Sequence, residues 1–345
     1  MVDYLIQNAQ IIDGSGGEGY VGDLAVSRGK IAALGRLSGM EATHTIAAGG
    51  RCLTPGFIDI HRHSDGALFR PDYGKAELAQ GLTTVLGGNC GLSLAPVRGP
   101  HSEEILRYLA PITGVMPQGQ CFETMADYVH QAEKTPLRLH SAMLVGMGTL
   151  QACVAGFENT ALGKREISAL HALLERALGD GALGVSLGLG YAPECFCSTE
   201  ELIQRLAPLR RSGTTLSVHL RQEGDGVVAA LREMLTVARA LETPVEISHL
   251  KAIGRRNWQS AVPEMLKLLR DARRDGVEVA CDVYPYPAGS TQLLHVLPPE
   301  FQSGGTAALT RALRDPNQRR LMRRRMETGR DFENITALVG FENIR

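Results

Sequence analysis

Hydrophobic and polar positions divide the chain into three stretches. In residues 1–50, short alternating runs such as DYLIQNAQIIDGSG and GDLAVSRGKIAALG are punctuated by Gly and Asp, and nothing repeats at helical spacing. Alternation at period two sends successive side chains to opposite faces, which predicts short strands in a small β-domain. From residue 51 the pattern changes. The apolar runs CLTPGFIDIH, TTVLGGNCG, HSAMLVGMG, ALGVSLGLGY, TLSVHLR, PVEISHLK and VEVACDVYPY are mostly separated by amphipathic stretches such as EISALHALLERALGDG and GVVAALREMLTVARALE. The latter is expected to end near Pro244, where the next strand begins. Strand then helix, repeated, predicts βα units around a parallel sheet. The seven runs over residues 51–289 are one short of a (β/α)8 barrel, and no eighth follows residue 286. Residues 290–345 open with the loop LPPEFQSGG and continue as a helical stretch interrupted at Pro316, the composition of a helical insertion or lid before an eighth strand.

Charge and composition remove some function classes. The formal net charge of -1 gives no global field toward nucleic acid or an acidic membrane. The run RRLMRRRM therefore reads as a solvated basic helix face rather than a nucleic-acid site. No uncharged apolar stretch is long enough for a transmembrane helix. MVDYLIQNAQ lacks the basic and apolar regions of a signal peptide, so none is expected. Seven scattered cysteines, an odd number, imply free thiols and a cytoplasmic location. Cys195 and Cys197 form a C-x-C, a weak metal signal that reads as a loop carrying two thiols.

Candidate chemistry sits at the strand ends. Active sites of parallel barrels gather at the C-terminal ends of their strands. His61 and His63 stand two apart at the end of the first run and so face the same way. Cys90 ends the second run, His219 the fifth and His249 the sixth. Imidazole together with thiolate favours zinc over magnesium or calcium. Gly87, Gly88 and Gly91 flank Cys90 and would let backbone crowd near an ion. Of the remaining histidines, His44, His101, His130 and His171 lie in turns or helices. His140 is at the wrong end of its strand, and His295 stays open.

PGFIDIHRHSD followed by QGLTTVLGGNCGLSLAP resembles the amidohydrolase superfamily and, within it, the N-acyl-D-amino-acid deacylase (D-aminoacylase) family. HLRQEGDG, ISHLK and DVYPYPAGST resemble that family's later motifs, so the likeness covers essentially the whole chain. It implies an α/β fold: a TIM-like (β/α)8 barrel plus a small β-sandwich domain. It implies one tightly held zinc on Cys90, His219 and His249, with a second, weaker metal position at His61 and His63. Lys251 falls where the family binds the substrate carboxylate, and Tyr284 and Ser290 where it adds hydroxyl contacts. Tyr191 and Arg221 are further motif positions that could point at substrate. Asp65 is expected to orient an imidazole. The implied activity is zinc-dependent hydrolysis of an N-acyl-D-amino acid to a carboxylic acid and a free D-amino acid. The partner is that small molecule, with no nucleic acid and no membrane, and the oligomeric state is open.

Two departures qualify the likeness. The family's general base is an aspartate in a Ser-Asp-Gly context after strand eight, and the catalytic residue is therefore unassigned within 1–345. The only Ser-Asp-Gly here is Ser64-Asp65-Gly66, on the first run, while Asp315 and Asp331 lie in a basic helical region. The strands that would return to close the small domain are also not found. The expectation is the N-terminal part of a longer enzyme. The alternatives are another cyclic-amide or dipeptide hydrolase of the superfamily, or a non-catalytic relative or fragment acting as an interaction protein.

Overall fold

A computed structural model describes residues 1–114, 116 and 121–345. The alternating runs at the start form strands β1 (Val2–Ile11), β2 (Tyr20–Ser27), β3 (Lys30–Gly35) and β4 (Ala42–Ala47); β5 (Cys52–Leu53), the opening of CLTPGFIDIH, joins the same sheet, and the unit spans Met1–Phe57. Arg28 and Gly29 both have positive φ, the two-residue turn that matches strand twist and joins β2 to β3 as a hairpin. The sheet order is β3-β2-β1-β4, and β5 also pairs with β1. β1 is antiparallel to β2 and parallel to β4 and β5. Its buried face carries Leu5, Ala9 and Ile11, with Ala25 and Ala48. Among the described residues, the part expected from a β-sandwich is this single mixed sheet.

The seven apolar runs form β6 (Phe57–Asp59), β7 (Leu82–Gly87), β8 (His140–Gly146), β9 (Gly184–Gly188), β10 (Leu216–His219), β11 (Val245–Ile247) and β12 (Val279–Cys281). They lie side by side in chain order, and every register recorded from β7 to β12 is parallel. Parallel neighbours need a crossover, and helices supply it. In Lys164–Gly179, between β8 and β9, Ile167, Leu170, Leu174 and Ala177 recur on one buried face. Val227–Leu241, between β10 and β11, buries Leu231, Met234, Leu235 and Ala238 and ends three residues before Pro244. These faces pack on Val185, Leu187, Leu216, Val218 and Ile247, which are fully or almost fully buried. Chain-order parallel strands are the arrangement of a (β/α) barrel, here with seven strands among the described residues. Edge strands β6 and β12 flank the eighth place, and Ile58 and Val283 beside it are exposed.

Residues 290–345 carry helices Gly305–Arg314, Pro316–Thr328 and Ile335–Val339. Asp315 caps the second, with Pro316 in its first turn, so the interruption at Pro316 is a boundary between two helices. Asp331 pairs with Arg325 at 2.8 and 3.0 Å. No described helix is long and apolar enough to cross a membrane. All seven cysteines are free.

Candidate metal centre

Five side chains from four strand ends converge. His61 and His63 follow β6 directly, with ring centroids 5.3 Å apart. Cys90 lies three residues past β7, His219 is the last residue of β10, and His249 is two residues past β11. Cys90 Sγ stands 3.3 Å from His61 Nε2 and 3.6 Å from His249 Nε2, and His249 Nε2 stands 3.0 Å from His219 Nδ1. Tetrahedral zinc with ordinary bond lengths separates its donors by about 3.3 Å between nitrogens and about 3.6 Å between sulfur and nitrogen. Two overlapping donor groups therefore have metal spacing, His61–His63–Cys90 and Cys90–His219–His249. His63 Nδ1 and His219 Nε2 are buried with no hydrogen-bond partner.

The turn that presents Cys90 is held by protein contacts. Gly88 has a φ of +73°, and a Cβ there would overlap the Leu144 carbonyl, so only glycine fits. The space the glycines provide is occupied by the β8 backbone at Gly88 and, at Gly91, by Glu194 and the Gly188 backbone. Asp65 was expected to orient an imidazole. It is buried and instead accepts the Gly88 and Leu94 N–H groups, both at 3.1 Å, which pins the Cys90 loop.

Burial alone would raise the Cys90 thiol. The neighbouring imidazoles, His63 first, outweigh it and hold the thiol well below its usual range, so a thiolate faces the histidines. Burial lowers His219. It opposes protonation of His61 and His249 too. Asp282 and Cys90 nevertheless carry His61 up to about 10, and Glu223 and Cys90 carry His249 up to about 9. In the metal-free chain those two rings hold protons that a cation would displace.

Two carboxylates not singled out from the sequence stand behind these rings. Asp282, one residue past β12, accepts from His61 Nδ1 at 3.0 Å and from the His249 backbone N–H. Glu223 Oε1 accepts from His249 Nδ1 at 2.7 Å and from Lys251 Nζ at 2.5 Å. Burial would raise Glu223, but His219, His249 and Lys251 hold it far below the usual carboxylate range. A carboxylate on one ring nitrogen directs the other toward a metal. Asp282 follows the same strand-end rule as the ligands. Glu223 sits inside the HLRQEGDG stretch.

The remaining expected residues are spread around this centre. Lys251 Nζ also lies 3.0 Å from His249 Nδ1 and 5.4 Å from the centre of the Tyr284 ring. Ser290 is exposed. The buried Tyr191 ring packs 4.6 Å from His219 and 4.8 Å from His295, and its hydroxyl meets Thr291 Oγ1 at 2.9 Å. Arg221 makes a double contact with Glu233 at 2.9 Å and donates to the Cys195 and Cys197 carbonyls. Its fork is thus engaged by protein. Burial pushes the Cys195 and Cys197 thiols up to about 12, and Cys197 Sγ lies against Arg205. His295 is buried beside the centre with Nδ1 3.2 Å from the Gly190 carbonyl.

Parallel strands in chain order, whose C-terminal ends gather imidazoles around one thiolate, are the frame of a metal-binding (β/α) barrel. No protein-family model matches the chain. It is 38% identical to a D-aminoacylase of Alcaligenes xylosoxydans xylosoxydans over 292 residues, 84% of this chain and 59% of that protein. A solved N-acyl-D-glutamate deacylase of Bordetella bronchiseptica, complexed with zinc and a phosphonate inhibitor, superposes with a TM-score of 0.76 at 33% identity, covering 83% of this chain and 59% of that one. A D-aminoacylase structure described with a binuclear metal centre gives 0.76 at 32% identity, covering 94% and 70%. The chain belongs to the D-aminoacylase family of N-acyl-D-amino-acid deacylases. It spans 59–65% of the length of the curated deacylases it matches.

Proposed function

We propose that this protein hydrolyses the amide bond of N-acyl-D-amino acids at a zinc centre, giving a carboxylic acid and a free D-amino acid. One observation carries the reading: the Cys90, His61, His219 and His249 donor atoms come from four strand ends and stand 3.0–3.6 Å from their neighbours. Cys90, His219 and His249 would hold the tighter zinc, and His61 and His63, sharing Cys90, the weaker position. Zinc there supplies a Lewis acid that polarises an amide carbonyl and makes water acidic enough to attack near neutral pH. Asp282 keeps the His61 ring in place, and Glu223 does the same for His249 and Lys251. Lys251, with the Tyr284 and Ser290 hydroxyls, would receive the α-carboxylate, so that one hand of the substrate turns its acyl amide inward. Tyr191 and Arg221 are assigned supporting roles: Tyr191 in packing His219, and Arg221 in tying the β9–β10 segment to Glu233. Asp282 and Glu223 are both committed to imidazoles, so the general base is assigned to neither. The small-molecule substrate is the partner proposed, in the cytoplasm.

The test is zinc per chain after exhaustive dialysis, then hydrolysis of N-acetyl-D-amino acids, their L forms, hydantoins and isoaspartyl dipeptides by the zinc-loaded protein. Turnover of the D series alone supports the reading. Retained zinc with no turnover of any substrate would favour a metal-binding relative that does not catalyse. Given turnover, Lys251→Ala is expected to raise KM more than it lowers kcat and to weaken the D over L preference. Unchanged selectivity would remove Lys251 from the carboxylate site.

A further inference from the structure

Glu333 is a buried acid with no part in the mechanism above. It lies in residues 290–345, just before the helix Ile335–Val339. Asn334 fixes the chain at this point: its Nδ2 donates to the Met326 carbonyl at 2.8 Å and the Gly329 carbonyl at 3.1 Å, and its Oδ1 accepts from Ala337 N–H and the Thr336 hydroxyl. Glu333 itself is 7% exposed, which is low for a carboxylate. Its Oε2 accepts the Glu223 N–H at 2.6 Å, while its Oε1 is buried with no partner. A buried carboxyl oxygen left unpaired is destabilising, and an apolar side chain would avoid it. What the carboxyl provides is an acceptor for the Glu223 N–H.

The Glu223 peptide is held from its other side as well, since its carbonyl accepts the Ile253 N–H at 2.7 Å. Leu338 fills the space beside it, and a Cβ on Gly224 would overlap that leucine. The Glu223 side chain then meets His249 Nδ1 and Lys251 Nζ. A continuous set of contacts runs from Glu333 through the Glu223 backbone to one expected metal ligand and the expected carboxylate-binding lysine.

We propose that Glu333 is a positioning residue of the metal centre: by accepting the Glu223 N–H it fixes the Glu223 carboxylate, which in turn directs His249 Nε2 toward Cys90 and His219 and sets the place of Lys251 Nζ. This rests on the reading that Cys90, His219 and His249 hold a metal. It assigns residues 290–345 a part in building the centre rather than only in covering it.

The experiment is titration of the full 345-residue chain with cobalt(II). It reads the thiolate-to-cobalt charge-transfer band, the visible bands and the Kd against a competing chelator, with thermal melts alongside. Glu333→Ala is expected to weaken cobalt binding about tenfold or more, the usual size of an outer contact's effect, and to shift the visible bands. Glu333→Gln keeps an oxygen for the Glu223 N–H and should restore wild-type bands and affinity. Met322→Ala loosens the same segment, where Met322 packs with Phe301 and Leu309, and should lower the Tm with the bands unmoved. Should Glu333→Ala not fold, Glu333→Leu fills the space without an acceptor and carries the same expectation. A folded Glu333→Ala or Glu333→Leu protein with wild-type affinity and spectrum would overturn the proposal alone. So would a Met322→Ala protein that moves the bands as far, because seating of the segment would then explain everything. A wild-type chain showing no charge-transfer band overturns the metal-centre reading and this inference together.

Discussion

The two donor groups share Cys90 and differ in their surroundings. Cys90 and His219 are almost fully buried, the braced rings His249 and His61 are alike at 11% and 14% side-chain exposure, and His63 is partly exposed. Each group has one imidazole braced by a carboxylate, His249 by Glu223 and His61 by Asp282, and one whose second nitrogen has no partner. The bracing and the exposure of the braced rings are matched, so what separates the groups is the unbraced ring, buried in His219 and partly exposed in His63. Excluding water strengthens the pull of the thiolate and the rings on a cation, which makes the buried group the tighter of the two. The comparison shows that the position of Cys90 sets up two sites at once, and that solvent ranks them.

Removing the shared donor tests this most severely. Cys90→Ala is expected to abolish both positions, with affinity falling by at least about a thousandfold, because structural zinc affinity is divided among so few ligands. His219→Ala should empty only the buried group. His63→Ala should remove the weaker metal and leave one zinc per chain. Elemental analysis after dialysis distinguishes these outcomes. If His63→Ala and His219→Ala lost the same metal, the division into two groups would be wrong.

A smaller effect is expected from the braces. Asp282→Asn should weaken binding at the His61 group by about tenfold to a hundredfold. Because Asp282 also accepts the His249 N–H, some loss should carry over to the buried group. Glu223→Gln should show the reverse weighting. Cobalt titrations that resolve two binding steps would measure both, and equal losses at the two steps for each variant would mean the braces are not specific.

Protons sharpen the contrast further. A metal and a proton compete for the same lone pair. His249 holds its proton up to about 9 and His61 up to about 10. Below those values binding releases one proton from each ring, so affinity should rise about tenfold per pH unit. The rise should level off above about 9 for the buried group and above about 10 for the other. Chelator competition across pH 6–10 reads both slopes. A flat profile below pH 9 would mean that these rings are already deprotonated.

Much of this arrangement was legible in the sequence, for physical reasons that can be named. Seven apolar runs separated by helical stretches became seven strands in chain order, because strand period, helix period and turn residues agree locally. His61, His63, Cys90, His219 and His249 meet because parallel strands deliver their C-terminal ends to one place. What was missed depends on contacts that sequence spacing does not encode. Asp282 was within reach, since the strand-end rule applied to carboxylates as well as to His and Cys would have flagged it. Glu223 lies in a loop, and only its contact with His249 shows its role. Glu333 reaches Glu223 across 110 residues. Arg221 looked free to meet substrate because Glu233, its partner twelve residues on, sits on the following helix. The glycines around Cys90 let backbone crowd in, as at Gly88 against Leu144, while the part Glu194 plays at Gly91 had no signal in the spacing.

Glu194 lies behind the turn that presents Cys90 and gives the smallest expected effect on metal. It is buried, accepts the Gly188 N–H at 3.0 Å, and packs where a Cβ on Gly91 or Gly148 would sit. Burial pushes it up to about 8 from the ordinary 4.5, so the folded chain holds its proton more firmly than the unfolded chain does. Its contribution to stability is therefore complete below about pH 4.5 and is lost as pH rises through about 8. Between pH 5 and pH 7 the loss should be about 2 kcal/mol. Glu194→Gln keeps an acceptor for Gly188 and cannot ionise, so its stability should vary less over that interval, and at pH 8 it should be the more stable of the two proteins. Zinc binding should be the same in both, since Glu194 touches the turn and not a ring. Urea midpoints measured at pH 5, 7 and 8 test the first claim, and parallel loss of zinc in the variant would place Glu194 inside the metal centre instead of beneath it.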